Sequence, residues 1–140
     1  MTILDQPAIL SAELDSNGAS DGRSIYLLDD DLSMLKALDR LLKSAGFTVE
    51  KFSQPSAFLA NIEDAPCRVA ILDVWMPDMN GLEVQAVLRK DYPDTRVIFM
   101  SGRDDASVRQ TALEAGAFGF LSKPFHDDVL LELVRKALIA

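Results

Sequence analysis

The chain has 140 residues, which is the size of one ordinary domain. It is 49% hydrophobic and 26% charged, a balance typical of globular proteins. Its net charge of −8 argues against direct binding to nucleic acid, because that affinity comes mainly from Lys and Arg, and it disfavours anionic membrane surfaces for the same reason.

The chain has one cysteine and one histidine. Cys67 allows no internal disulfide, and His126 alone excludes a site built on two histidines. No apolar run approaches the roughly 18 residues of a membrane span. The N-terminus shows no basic region followed by an apolar one, so no secretory signal is visible. We therefore expect a cytoplasmic location and no membrane contact.

Residues 1–22 differ in composition from the rest of the chain. They contain four acidic residues and no Lys or Arg, and residues 15–22 have the Ser, Asn, Asp and Gly content of turns and linkers. Residues 23–140 hold 14 basic and 18 acidic residues, for a net charge of −4. We predict that 1–22 form a flexible acidic leader, with a short helical turn around Ile9–Leu14, and that 23–140 form the folded domain.

From residue 24 onward, short apolar runs alternate with segments of helical spacing. The runs predict strands at Ile25–Leu28, Phe47–Phe52, Val69–Leu72, Val97–Met100 and Phe118–Leu121. The intervening spacing predicts helices at Leu32–Ala45, Ser56–Ile62, Leu82–Lys90, Ala106–Ala115 and Asp127–Ile139. Five strands alternating with five helices predict an α/β, doubly wound parallel sheet. The strand runs read as apolar throughout, as expected when helices cover both sheet faces.

Reactive polar residues follow four of these five strands. Asp29 and Asp30 follow the first strand, Asp73 the third, Ser101 the fourth and Lys123 the fifth. The carboxyl ends of parallel strands share one edge, where open α/β folds place their ligands. We therefore expect these five side chains to converge.

Clustered carboxylates repel one another unless a cation lies among them. Hard oxygen ligands favour Mg²⁺, or Mn²⁺, over zinc. A carboxylate beside such an ion can attack a phosphoryl donor and form an aspartyl phosphate. Lys123 and Ser101 are suited to binding the phosphoryl oxygens, so the pattern predicts phosphoryl transfer by positioning and electrostatics.

The same residues resemble the receiver domain of bacterial two-component response regulators, including the chemotaxis regulator. The resemblance covers about residues 23–140 and depends on four motifs in order: LLDDD at 27–31, ILDVWMPDMNG at 71–81, VIFMSG at 97–102 and GAFGFLSKPF at 116–125. It implies a flavodoxin-like fold with strand order 2-1-3-4-5.

The resemblance also implies a role for each site residue. Asp73 would be the phosphoacceptor, and Asp29, Asp30 and the backbone carbonyl of Trp75 would hold Mg²⁺ together with Asp73. Ser101 and Lys123 would bind the phosphoryl group, and the Lys123–Pro124 bond would be cis.

The partner implied by the resemblance is a sensor histidine kinase or phosphotransfer protein that carries a phosphohistidine. Phosphorylation would draw the Ser101 hydroxyl inward and let Phe120 turn into the space. The surface of helix 4, strand 5 and helix 5 would then bind a partner or a second copy. Slow self-dephosphorylation would reset this switch, which is not an enzyme acting on other substrates.

Two residues near the site carry open interpretations. Trp75 either slows the approach of water to the phosphorylated residue or is simply an exposed loop residue, and a hydrolysis rate measured on Trp75→Ala distinguishes the two. Arg103 either has a similar role or pairs with an acidic partner.

Asp78 and Asn80 are interpreted as turn residues, and Gly81 is expected to have a positive φ. Asp31 is expected to be a solvated acid in the first turn of helix 1.

Two other functions compete with the phosphoacceptor switch. Loss of the acidic pair, the acceptor or the lysine would favour a receiver-like interaction module that is never phosphorylated, but all are present here. A Mg²⁺-dependent phosphohydrolase of the haloacid-dehalogenase type needs a second Asp two residues beyond the nucleophile, where this chain has Trp75. The sequence does not choose between a stand-alone receiver and the N-terminal part of a longer regulator.

Overall fold

The computed structural model of the protein describes residues 24–103 and 106–140. The predicted leader and the helical turn at Ile9–Leu14 lie outside these residues. The strands are β1 (Ser24–Leu28), β2 (Thr48–Phe52), β3 (Val69–Asp73), β4 (Arg96–Ser101) and β5 (Gly119–Ser122). The helices are α1 (Leu32–Ser44), α2 (Pro55–Asp64), α3 (Gly81–Asp91), α4 (Ala106–Glu114) and α5 (Asp127–Ile139).

The five strands of the described chain form one parallel sheet in the order β2-β1-β3-β4-β5. Strands and helices alternate along the sequence, so each strand is joined to the next parallel strand by a helix that crosses over the sheet. The predicted α/β doubly wound fold and its 2-1-3-4-5 order are confirmed.

Successive strand side chains point to opposite faces, and this divides the interior into two cores. In β1, Ile25 and Leu27 belong to one core, while Tyr26 and Leu28 belong to the other. Helices α1 and α5 cover the first face, and α2, α3 and α4 cover the second.

The expectation that all strands are apolar throughout is wrong for β2. In Thr48–Phe52 only Val49 is buried, whereas Thr48, Glu50 and Lys51 are exposed. This strand is at the edge of the sheet and pairs only with β1, so helices do not enclose it on both sides. Exposed polar and charged side chains on an edge strand also discourage pairing with another chain.

Local sequence features determine where the helices begin and end. The Asp31 carboxylate caps α1 by accepting hydrogen bonds from the backbone of Ser33 and Met34. Asp31 is exposed, as expected, but it is the N-cap residue and lies one position before the first turn. Beyond the other end of α1, Gly46 has φ 93°, which a glycine adopts readily. Pro55 begins α2 at a position where its missing N–H costs nothing.

Helix α3 begins with a capping box. The Asn80 side chain accepts from the Glu83 backbone at 3.0 Å, and the Glu83 carboxylate accepts from the Asn80 backbone at 2.9 Å. Asn80 is thus a helix cap, and its position fixes the first residue of α3, Gly81, close to the end of β3.

No helix in residues 24–103 and 106–140 combines the length and the apolar character that crossing a membrane requires.

Candidate functional site

The carboxyl edge of the sheet brings together the residues that follow β1, β3 and β5. Asp29 is fully buried directly after β1, and Asp73, the last residue of β3, is 5% exposed. Asp30 is exposed beside them. One carboxylate oxygen from each of Asp29, Asp30 and Asp73 lies within 4.8 Å of the others. The predicted convergence of the three acids is therefore present.

Lys123 connects two of these acids. Its Nζ donates to Asp29 Oδ2 at 3.0 Å and to Asp73 Oδ1 at 3.1 Å. The backbone N–H of Lys123 donates to the Ser101 carbonyl at 2.7 Å, which anchors the residue to the end of β4. The Lys123–Pro124 bond is cis, as the resemblance implies.

Asp29 is held from two sides. Its backbone N–H donates to the Phe52 carbonyl at 3.1 Å, and its Oδ1 accepts the Asp31 N–H at 2.9 Å. Because Oδ2 accepts from Lys123, both carboxylate oxygens of this buried residue are hydrogen-bonded. This satisfies a charge that would be costly to bury alone.

The surroundings of Asp73 make its charged form costly. Burial raises the pKa of Asp73 from 3.8 to about 6, and the neighbouring charge of Asp29 adds to the effect. The hydrogen bond and charge of Lys123 act in the opposite direction. For Lys123, burial works against the charged amine, but its bonds to Asp29 and Asp73 outweigh this and raise its pKa. The amine is thus held in the charged state that an anionic ligand needs.

The donor set fits a small divalent cation. When ionised, three carboxylates and one amine leave two negative charges in excess at this edge. Mg²⁺ binds oxygen at about 2.1 Å, so two ligands on opposite sides of one ion lie about 4.2 Å apart. The three carboxylate oxygens lie within 4.8 Å of one another, which is close to this span. Waters commonly complete Mg²⁺ sites in proteins.

Ser101 ends β4 at the same edge and is 1% exposed. Its hydroxyl donates to the Arg103 carbonyl at 3.0 Å and accepts the Arg103 N–H at 3.1 Å. The structure therefore places this predicted site residue at the edge with its hydroxyl engaged by the loop that follows it.

Trp75 lies two residues beyond Asp73, in the loop between β3 and α3, and is half-buried. The Arg103 guanidinium lies 4.5 Å from the centroid of the Trp75 ring, a cation–π contact. The sequence singled out both residues but did not pair them, because no periodicity relates two loops that follow different strands. The role of the Trp75 carbonyl as a metal ligand stays a prediction.

Phe120 in β5 is 8% exposed in this structure. Its ring packs against Phe99 with centroids 6.2 Å apart, and the Arg109 guanidinium lies 5.0 Å from its centroid. The ring is thus largely buried, with Phe99 and the Arg109 guanidinium as neighbours.

The expectation of a positive φ at Gly81 is wrong. Among the described residues, the glycines with positive φ are Gly46 and Gly116, and in the loop after Asp73 it is Asp78 that has φ 61°. Gly81 is required for a different reason, the close packing of α3 on β3. A Cβ at this position would overlap the Asp73 carbonyl oxygen and approach Phe99 Cε1 to 3.0 Å.

With this geometry in place, the comparison with known proteins decides the family. The sequence profile of the response regulator receiver domain matches residues 25–135. The chain belongs to the response regulator receiver family. Receiver domains are signalling switches rather than enzymes with a separate substrate.

Two curated response regulators illustrate the relationship. The response regulator protein TodT of Pseudomonas putida is 44% identical over 114 residues, which are 81% of this chain and 50% of TodT. The transcriptional regulatory protein FixJ of Bradyrhizobium diazoefficiens is 34% identical over 114 residues, 81% of this chain and 56% of FixJ. The receiver thus spans about half the length of these relatives.

Solved structures show the same fold. A CheY-like response regulator receiver domain protein from Methanospirillum hungatei superposes with a TM-score of 0.79 at 29% identity, covering 84% of this chain and 94% of that one. A receiver domain from Clostridium thermocellum gives a TM-score of 0.79 at 26% identity, with 83% and 94% covered. The family and the fold implied by the sequence motifs are therefore confirmed.

Proposed function

We propose that this receiver accepts a phosphoryl group on Asp73 from the phosphohistidine of a sensor histidine kinase or a phosphotransfer protein. The observation that carries the proposal is the Lys123 amine, 3.1 Å from Asp73 and 3.0 Å from Asp29, at the edge where three carboxylates converge. A charged amine beside a buried carboxylate can bind the negative charge of an incoming phosphoryl group.

In the proposed transfer, an Asp73 carboxylate oxygen forms a bond to phosphorus as the bond from phosphorus to the histidine nitrogen breaks. The imidazole leaves with the electron pair. Lys123 already contacts Asp73 Oδ1, so it needs little reorganisation to neutralise charge on the phosphoryl oxygens. Ser101 supplies a hydroxyl donor once it releases the Arg103 carbonyl.

Asp29, Asp30, Asp73 and the Trp75 carbonyl are the residues that we propose hold Mg²⁺, or Mn²⁺ in its place. Bound there, the ion would supply positive charge for the phosphoryl oxygens. The clustering of the three carboxylates and their excess negative charge support this assignment.

Phosphorylation at Asp73 would change the surface made by α4, β5 and α5, which we propose binds a partner or a second copy of the chain. Ser101 and Phe120 connect this surface to the site, since they lie at and near the ends of β4 and β5. Val129 on α5 is 48% exposed and borders a groove that also contains Phe120 and Leu133. Such an equilibrium between two surfaces, biased by a local charge, is a population shift.

We propose that residues 23–140 form the receiver and that the exchange takes place in the cytoplasm. The family match over residues 25–135 and the single cysteine, which precludes an internal disulfide, support these two assignments. The output is carried either by contacts of this chain alone or by a further region of a longer regulator. The name of FixJ, a transcriptional regulatory protein, supports transcription as that output.

Incubation with Mg²⁺ and acetyl phosphate, followed by intact mass measurement, tests the acceptor. We expect one phosphoryl adduct that hydroxylamine removes, absent in Asp73→Asn and retained in Asp78→Asn. Asp78 is a suitable control because it is exposed in the loop that follows the same strand, and Asn tolerates its positive φ.

The same experiment separates the alternatives. An unmodified wild type would favour the interaction module that is never phosphorylated. Release of inorganic phosphate from unrelated organic phosphates, with no stable adduct, would favour a phosphohydrolase. An adduct that persists in Asp73→Asn would move the acceptor to another residue.

A further inference from the structure

Arg103 connects the two loops that flank the phosphorylation site. Its guanidinium stacks on Trp75, two residues beyond Asp73, at 4.5 Å from the ring centroid. Its backbone N–H and carbonyl hold the Ser101 hydroxyl at 3.1 and 3.0 Å. One residue therefore contacts the loop after β3 through its side chain and the end of β4 through its backbone.

The bond from Ser101 to the Arg103 carbonyl competes with any other use of that hydroxyl. A serine hydroxyl has one proton and donates to one acceptor at a time. If Ser101 donates to a phosphoryl oxygen on Asp73, its bond to the Arg103 carbonyl must break. Whatever stabilises the observed position of Arg103 therefore opposes capture of the phosphoryl group.

The contact between the Arg103 guanidinium and the Trp75 ring stabilises the observed position of the Arg103 side chain. The indole Nε1 of Trp75 is buried and has no hydrogen-bond partner in the described part of the chain. Among the described residues no hydrogen bond therefore fixes the edge of this ring, while the Arg103 guanidinium covers its face. A cation–π contact at a partly exposed position is strong enough to shift a two-state equilibrium by several fold.

We propose that Arg103 is a positioning residue that latches the loop after β4 to the loop after β3 through Trp75, and so holds the Ser101 hydroxyl away from the phosphoryl group. The effect on phosphoryl capture rests on the function proposed above. The latch itself is a property of the unphosphorylated protein and can be measured there.

Trp75 is the only tryptophan of the chain, so its fluorescence reports on the stack without labelling. In metal-free protein we expect acrylamide to quench Arg103→Ala about twofold more efficiently than wild type, because one face of the ring is uncovered. Arg103→Lys keeps the charge and is expected to lie between the two. Arg40→Ala removes an exposed arginine of α1 and should match wild type. Equal quenching in Arg103→Ala and wild type would overturn the latch.

Beryllofluoride with Mg²⁺ tests whether the latch opposes capture, since it mimics the phosphoryl group without a transfer step. ¹⁹F NMR of the bound fluoride measures affinity without needing tryptophan. We expect Arg103→Ala and Trp75→Leu each to bind about twofold to fivefold more tightly than wild type, and the double variant to bind no more tightly than either single variant. Unchanged affinity in Arg103→Ala, or fully additive effects in the double variant, would overturn the coupling between the two loops.

These measurements separate failure of the latch from failure of the proposed function. A wild type that binds no beryllofluoride in Mg²⁺ would contradict the proposed phosphoacceptor site, and acrylamide quenching would still decide the latch. A wild type that binds beryllofluoride while Arg103→Ala behaves identically in both assays would leave the phosphoacceptor site in place and remove the latch.

Discussion

Asp73 has its carboxyl group where burial and a second carboxylate both oppose its negative charge. Its pKa is raised from 3.8 to about 6, so at neutral pH the ionised form costs the metal-free protein free energy. A tenfold change in an acid dissociation constant corresponds to about 1.4 kcal/mol, so the cost has an upper limit of about 3 kcal/mol. This limit already includes the opposing contact with Lys123. The Asn side chain is still a buried polar group, so a smaller net effect is expected from the substitution.

Asp73→Asn should therefore stabilise the metal-free protein at pH 7.5, by about 1–2 kcal/mol or about 3–8 °C in Tm. Thermal unfolding in EDTA measures this directly. Saturating Mg²⁺ should narrow the difference, because it binds the folded wild type more tightly than a variant that lacks one carboxylate. A less stable Asp73→Asn in EDTA would show that the contact with Lys123 outweighs the cost of burying the charge.

The pH dependence of this difference follows from the raised pKa. A carboxyl group whose pKa is higher in the folded state favours folding when protonated. Its contribution is fully present below about pH 3.8 and is lost as the pH rises through about 6. The Tm advantage of Asp73→Asn should be largest above pH 6 and should shrink towards pH 4. A Tm advantage that does not vary with pH would show that packing, rather than loss of the charge, stabilises the variant.

Gly81 contributes to the site through the absence of a side chain. In Gly81→Ala the new Cβ meets the backbone carbonyl of Asp73, which has little freedom to move. We expect a loss of about 2–3 kcal/mol in urea unfolding and weaker Mg²⁺ binding, because the end of β3 must shift. Gly102→Ala is the matched control, since its Cβ would contact nothing within 4 Å. Equal stability of the two variants would show that α3 moves away at little cost.

At the level of single residues, the sequence predicted which side chains converge but not how each is held. Asp29, Asp73 and Lys123 were predictable because strand ends of a parallel sheet share an edge. The close approach that requires Gly81 and the positive φ of Asp78 were not, because both depend on how α3 packs against β3. The stack of Arg103 on Trp75 likewise depends on the distance between two loops.

The elements around the site differ in how their ends are stabilised. Helix α3 has a complete capping box at Asn80 and Glu83, whereas the N-cap residue of α2, Gln54, makes no side-chain hydrogen bond. The first turn of α3 places Gly81 against the Asp73 carbonyl, so its cap contributes to the geometry of the site as well as to the helix.

Asn80→Ala should destabilise the protein by about 1 kcal/mol, because it removes the side-chain acceptor of the Glu83 N–H. Gln54→Ala, at the equivalent position of α2, should change stability by less than about 0.5 kcal/mol. Urea unfolding of both variants makes the comparison. A loss of the same size in both would mean that the measured effect comes from something other than the cap.

Element boundaries followed from the sequence wherever capping residues or hydrophobic spacing specified them. The predicted and observed ranges of α5 are the same, Asp127–Ile139, and the ends of most other elements differ by one or two residues. The error at β2 has a physical cause. A strand at the edge of a sheet has fewer neighbours to bury its side chains, and a short apolar run does not reveal whether its strand is central or at the edge.

For the whole molecule, the alternation of strands and helices predicted a parallel sheet covered on both faces. The order β2-β1-β3-β4-β5 came from the resemblance instead, because pattern alone does not say which strands are neighbours. The described residues form two cores, and both contain residues of the three inner strands. The stability of the receiver should therefore come from this sheet and the helices on its two faces.

Removal of residues 1–22 tests that conclusion and the proposed domain boundary. Strand β1 begins at Ser24 and pairs with β2 on one side and β3 on the other, so its backbone is satisfied within the sheet. The truncation removes four acidic residues and changes the net charge from −8 to −4. Salt screens exposed charges over about 8 Å at physiological ionic strength, so any long-range effect of these four charges should be larger at low salt.

We expect the 23–140 protein to unfold within about 2 °C of the full chain and to be phosphorylated at Asp73 to the same extent by acetyl phosphate. Thermal unfolding and intact mass, each at low and at physiological salt, make the measurement. A difference in Tm or phosphorylation that is seen only at low salt would come from long-range electrostatics. It would be consistent with the proposed domain boundary. A large loss of stability at physiological salt would contradict it, because residues 1–22 would then contribute contacts that the sheet and its helices do not supply.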